Sequence, residues 1–96
     1  MPAYIIADVD VSDPAKYEGY KALSPGAIAA AGGKFVVRGG ETQVLEGDWR
    51  PSRMIVAEFP DFATAKAFYD SALYVKARKA REGATAKFNM IVVQGL

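Results

Sequence analysis

The hydrophobic positions fall into four short apolar runs and two longer amphipathic stretches, and the clearest run and stretch lie side by side. Met54-Ile-Val-Ala-Glu-Phe59 is too short for a helix and rich in β-formers, so it reads as an interior strand. Pro60 cannot donate to a ladder and ends it. Asp61 is a good N-cap, and an apolar stripe at Phe62, Ala65, Phe68 and Tyr69 predicts a helix from Phe62 to Asp70. A strand feeding straight into a helix is half of a βαβ unit.

The remaining elements read in the same way. Tyr4 to Val11 forms a first strand, and Ser12-Asp13-Pro14 starts a helix that carries Tyr17 and Tyr20 on one face. Ser24-Pro25 repeats that start signal, which predicts a kink or restart before the helix runs on to Ala31 and stops at Gly32-Gly33. Lys34 to Arg38 is a second strand. Gly39-Gly40 then marks a bulge or bend, after which Glu41 to Glu46 either extend the strand or open a hairpin. The turn from Gly47 to Pro51 holds the only Trp. Ser71 caps a further helix from Ala72 to about Glu82, and Lys87 to Gln94 forms the last strand.

The order is βαββαβ, and a weak internal repeat supports it. Shifted by 50 positions, Tyr4-Ile-Ile-Ala-Asp8 lies over Met54-Ile-Val-Ala-Glu58, and Ala15-Lys16 lies over Ala65-Lys66. The expected architecture is a single α+β domain over residues 1–96: a ferredoxin-like sandwich with antiparallel strand order 4-1-3-2 and the helices on one face. Several strands, such as Ile5-Ile-Ala7 and Met90-Ile-Val-Val93, are apolar on both sides. A solvated sheet face would alternate instead, so a second layer is needed, and a second copy of the chain is the simplest one. A homodimer packed through the open sheet face is therefore expected.

Composition removes most chemistries. The 96 residues contain no Cys and no His, which excludes thiolate nucleophiles, disulfides, histidine bases and the usual zinc and haem ligands. No metal or cofactor is expected, and carboxylates, Tyr, Lys, Arg and Ser carry whatever chemistry there is. Twelve basic against eleven acidic residues give no electrostatic case for nucleic acid. The alternating basic run Lys76, Arg78, Lys79, Arg81 fits a solvated helix face. The first ten residues lack a basic leader, and no apolar run approaches the roughly 20 residues of a membrane span. The expectation is a cytoplasmic protein that engages neither membrane nor nucleic acid.

Three segments then take on a family character. GGKFVVRGG from Gly32 to Gly40, VLEGDWRPSR from Val44 to Arg53 and VAEFPDFATAKAFYDSALY from Val56 to Tyr74, in that order, resemble the domain-of-unknown-function family 1330. The resemblance covers essentially the whole chain. It implies a bacterial-type protein with a dimeric α+β barrel, two ferredoxin-like subunits packed sheet to sheet. Family members often carry Trp-Tyr where this chain has Phe68-Tyr69, and Pro-Glu where it has Ala72-Leu73. The family lends no catalytic residues. The wider superfamily spans metal-free monooxygenases, small-molecule isomerases, haem enzymes and ligand-binding regulatory domains, and fold alone does not choose among them.

The candidate site residues follow from position. Asp8 and Glu58 are repeat equivalents on adjacent central strands, either a close carboxylate pair able to supply an acid or base, or groups salt-bridged to Arg38 or Arg53. Arg38, in a strand buried by a dimer, takes either an anionic ligand or an intersubunit ion pair. Tyr74 and Arg81 are seven residues apart on one helix face, with Tyr69 and Ser71 just before them. Together they either hold a carboxylate or carbonyl, or leave Ser71 as a cap and the tyrosines as core. Trp49 stacks on a ligand or buries itself against a partner subunit. The resulting expectation is a homodimer whose pocket between sheet and helices takes a small anionic or aromatic molecule. Glu58 and Tyr69 are its proton-transfer candidates, with Arg38, Tyr74, Arg81, Trp49 and Asp8 as binding residues. As an enzyme it would carry out a cofactor-free oxidation or isomerisation; the alternative is a non-catalytic sensing or interaction module.

Overall fold

Alternation along the first strand lays out the architecture. In β1 (Ala3–Val11), Ala3, Ile5, Ala7 and Val9 are buried beneath the helices, while Tyr4 and Ile6 turn to the other face of the sheet and remain partly open. The computed structural model describes residues 1–96 in the order β1, α1 (Pro14–Ala30), β2 (Lys34–Arg38), β3 (Arg53–Phe59), α2 (Phe62–Tyr69), α3 (Ala72–Ala80) and β4 (Thr85–Gln94). The four strands form one antiparallel sheet in the order β2-β3-β1-β4, the ferredoxin-like arrangement that the pattern predicts. No helix is long and apolar enough to cross a membrane.

Each helix begins on a side-chain cap. Asp13 accepts from the Lys16 N–H at 3.1 Å, Asp61 from Thr64 at 2.7 Å and Ser71 from Tyr74 at 3.3 Å, each satisfying an otherwise orphaned donor. The helix does not restart at Ser24-Pro25: α1 is one helix with Pro25 inside it. The proline removes one intrahelical bond, and burial of Ala27 and Ile28 beyond it holds the second half in place. At the end of α1, Gly32 has φ 83° and the Gly33 N–H returns to the Ile28 carbonyl at 2.9 Å, a Schellman-type stop. A Cβ on Gly33 would come within 2.6 Å of the Phe59 ring, so this position is fixed by packing rather than by backbone conformation. Glu41 to Glu46 neither extend β2 nor start a hairpin; the chain turns away at Gly39 and stays irregular until β3.

The core is aromatic. Phe59 packs on Phe68 with centroids 5.1 Å apart, Phe68 on Tyr74 at 4.3 Å, and Tyr74 on Tyr20 at 6.1 Å, joining β3, α2, α3 and α1. The Tyr20 and Tyr74 hydroxyls bond to each other at 2.7 Å, which satisfies two polar tips inside an apolar setting. The opposite face of the sheet has no covering layer. Its centre is Ile6, Met54 and Val56 with Ile91 and Val93 of β4, and Ile91 is 60% exposed.

Candidate functional site

An opening on the helix side lies between the β4 edge and the α2–α3 layer. It is a cleft of about 460 Å³. Its floor is made by residues that β1 and β4 point at the helices, Ile5, Phe88, Met90 and Val92, and its rim by Lys66, Tyr69, Asp70 and Arg81. The Arg81 Cζ stands 3.7 Å from the Phe88 ring centroid and 5.4 Å from that of Tyr20, a cation held over two π-faces. Its Nε is buried and finds no acceptor on the chain, and no carboxylate lies within ion-pair distance of it. Tyr69 is braced from behind by Arg78, whose Cζ is 4.0 Å from the ring centroid and whose Nη2 donates to the Tyr69 carbonyl at 3.2 Å. Asp70 lies 3.9 Å from the same guanidinium.

Of the expected tyrosine group, Tyr69 and Arg81 meet at this cleft. Tyr74 does not line it: at 1% exposure it sits behind Tyr69, ring centroids 5.9 Å apart, with its hydroxyl on Tyr20. Burial, reinforced by Tyr74, pushes the Tyr20 hydroxyl well above the usual tyrosine range. Ser71 acts as the α3 cap, its Oγ also donating to the Phe68 carbonyl at 2.8 Å. Phe88, Lys66 and Asp70 are rim and floor residues that sequence reasoning did not single out. The Phe88 contact depends on how β4 docks after the turn that follows Arg81, which no local pattern encodes.

The two carboxylates do not come together. Asp8 pairs across the ladder with Met54, and Glu58 pairs with Tyr4, so they occupy opposite ends of the β1–β3 pair. Four residues of strand separate those rungs, about 13 Å at the usual rise. Both also point to the face away from the helices, so Glu58 lies outside the cleft. Arg38 and Arg53 face the helices, across from Ile55 and Val9, and cannot neutralise either carboxylate. Lysines do so instead: Lys87 meets Asp8 at 3.1 Å and Lys34 meets Glu58 at 3.4 Å. Glu58 also accepts from the Tyr4 hydroxyl at 3.1 Å, and that bond raises the tyrosine's pKa.

Trp49 and Asp8 form one unit. The indole N–H donates to Asp8 Oδ2 at 2.9 Å and the Ser52 N–H to Oδ1 at 3.3 Å, tying the loop after β2 to the end of the open face. The Trp49 hydrogen bond first, then Lys87 and Ser52, hold the Asp8 carboxyl below the usual carboxylate range against the cost of its burial. Trp49 keeps 60% of its surface exposed there. Arg38 stacks over Phe35, Cζ 4.6 Å from the ring centroid, on the far edge of the sheet from the cleft. Trp49, Asp8 and Arg38 are thus all remote from the cleft that Tyr69 and Arg81 share.

The chain matches the family described as Domain of unknown function (DUF1330) over residues 2–96. It is similar in structure to a protein of unknown function from Rhodopseudomonas palustris (RPA0582), with TM-score 0.74 and 23% identity over 99% of this chain and 82% of that one. A dimeric ferredoxin-like protein of unknown function from Jannaschia sp. CCS1 superposes with TM-score 0.75 and 12% identity, over 99% of this chain and 100% of that one. SnoaB from Streptomyces nogalater, described as a cofactor-independent oxygenase, gives TM-score 0.68 and 17% identity over 99% of this chain and 93% of that one. Likeness at these identities shows the fold alone. No curated protein sequence matches the chain.

Proposed function

The chain belongs to the family described as Domain of unknown function (DUF1330), and from that premise we propose that it is a homodimer, each subunit binding one small anionic aromatic molecule in the cleft between α2, α3 and β4. The observation that carries this reading is Arg81. A guanidinium with a buried, unpartnered Nε, no carboxylate and an aromatic floor is suited to a planar anion that accepts from the fork and stacks beside Phe88. A cleft of about 460 Å³ is of ordinary size for such a ligand. A second copy would cover the open sheet face, in keeping with the dimeric relative from Jannaschia.

If the bound molecule reacts, cofactor-independent oxygenation of the kind ascribed to SnoaB is the chemistry that this fold already hosts. The ligand would lose a proton and react with O₂ itself, one oxygen atom converting a CH₂ to C=O and the other leaving as water. The chain's own share would be to bind, to exclude water and to hold protons at the Tyr69 Oη or the Asp70 carboxylate, the acid–base groups at the rim. Glu58, on the other face, takes no part. Non-catalytic sensing is favoured by a different observation: the space deeper between sheet and helices is only about 30 Å³, and the Tyr20 and Tyr74 hydroxyls there satisfy each other.

Titration with an anilinonaphthalenesulfonate dye, an anionic aromatic probe, tests the binding claim. Arg81→Met is expected to weaken dye binding at least tenfold and Lys34→Met to leave it unchanged. Equal affinity in Arg81→Met and the parent would overturn the cleft assignment. For any substrate then found, Tyr69→Phe is expected to lower turnover while retaining binding.

A further inference from the structure

A second guanidinium without a carboxylate, that of Arg53, lies toward the β2 side of the sheet, at the start of β3. Arg53 opens β3 opposite Val9, so its side chain rises toward α1. Its Nε is buried without an acceptor on the chain, and no carboxylate lies within ion-pair distance. The head group is pressed against Gly39, where φ is 70°; a Cβ built there would overlap the guanidinium. Glycine is needed at this position both for the turn and for the close approach. Arg38, just before it, points to the same face and is also without a carboxylate. Tyr17, Lys21 and Ser24 of α1 stand across from the two arginines at the mouth of the narrow space between sheet and helices. Arg53 opposes the rise that burial imposes on the Tyr17 hydroxyl, first by its charge and then by a hydrogen bond to it. Of the three cations, only Lys21 has a carboxylate, Glu18 at 3.3 Å.

Burying part of the Arg53 guanidinium without a counter-charge is costly, and Arg38 beside it is exposed. The arrangement gains its missing partner if an acceptor with two oxygens enters between Arg53 and Arg38, the geometry a guanidinium fork is built to meet. We propose that the mouth between α1 and the β2 edge is an oxyanion site, whose deeper lining meets the floor of the β4 cleft at Ile5, Phe88 and Met90, and in which Arg53 holds a carboxylate or phosphoryl group from below and Arg38 closes over it from solvent. Ser24 and Tyr17 offer hydroxyls to the same space, and Phe35, under Arg38, gives the rim an apolar side.

Thermal unfolding of the full chain in chloride, acetate and phosphate at matched ionic strength, with the Arg53→Met variant in parallel, tests the site. In chloride, Arg53→Met is expected to be at least as stable as the parent, because a thioether leaves no unpaired charge behind. Acetate, phosphate or both are expected to raise the parent's Tm by roughly 3–6 °C over chloride and to raise the variant's by much less. The variant also subtracts the general stabilisation that phosphate gives any folded protein. A gain with acetate alone identifies a carboxylate ligand, and one with phosphate alone a phosphoryl group. Equal gains in parent and variant, or no gain with either anion, overturn the proposal. Should Arg53→Met fail to fold, amide shifts of Gly39 and Ser24 in the parent decide: saturable movement with either anion supports the site, and none refutes it.

Discussion

The two faces of the sheet share an apolar centre and differ in their charges. On the helix-covered face, Ile5, Ala7 and Ala57 are flanked by Arg38 and Arg53, with Arg81 arriving from the end of α3, and the strands contribute no carboxylate. On the open face, Ile6 and Val56 are flanked by Asp8 and Glu58, each already held by a lysine and a neutral hydrogen-bond donor. Charge near the centre of the sheet is thus sorted across its thickness, guanidiniums without a carboxylate on one side and the lysine-held Asp8 and Glu58 on the other. A face whose charges are paired and whose middle is greasy suits a second protein layer. A face with unpaired guanidiniums under helices suits a small anion.

The strongest way to break this contrast is to put an unpaired charge in the middle of the open face. Val56→Lys is expected to disrupt a dimer by about 3–5 kcal/mol, the scale for an uncompensated charge in an apolar interface, while far-UV circular dichroism shows the subunit still folded. Sedimentation equilibrium reads the change as a rise in the dimer dissociation constant of a hundredfold or more. On the helix face, Tyr74→Ala is expected to cost about 3–5 kcal/mol for the lost aromatic volume. Tyr74→Phe would cost about 1–3 kcal/mol by leaving the Tyr20 hydroxyl alone in the core. Urea unfolding at one fixed protein concentration separates the two.

Smaller effects sharpen the contrast through pH. Tyr20 has a folded pKa raised above its ordinary 10.0, so its contribution is complete below that value and is lost as the unfolded chain ionises above it. Tyr20→Phe is expected to flatten the alkaline limb of a stability–pH curve. Asp8 has a folded pKa lowered from 3.8, so its contribution is complete above that value and fades as the pH falls through the folded pKa. Below it the indole loses its charged acceptor, and Trp49 emission is expected to shift to the red. Asp8→Asn should show much of that shift already at neutral pH; no difference from the parent would mean that Asp8 does not hold the loop.

The architecture was legible because strand and helix periods, caps and glycine stops agreed with one another, from Asp61 at α2 to Gly32 after α1. Strand order followed from the repeat, but the same repeat misled about chemistry. Its pseudo-twofold passes between Ile6 and Val56, so it carries Asp8 onto Glu58 at the far end of the pair instead of beside it. Arg53 and Glu58 are an odd number of residues apart within β3, and alternation alone puts them on opposite faces. That signal was in the sequence. The contact of Arg81 with Phe88 was not, because it arises only when α3 and β4 dock across a turn. The persistence of α1 through Pro25 likewise depends on what its second half buries, which local propensity cannot weigh.

Native mass spectrometry of the purified protein, first under gentle and then under denaturing conditions, tests the central claim that one face meets a second copy and the other a small anion. The account predicts twice the subunit mass, with Val56→Lys collapsing to a single subunit, and any bound molecule lost on denaturation being acidic. A single-subunit mass for the parent at micromolar concentration would contradict it.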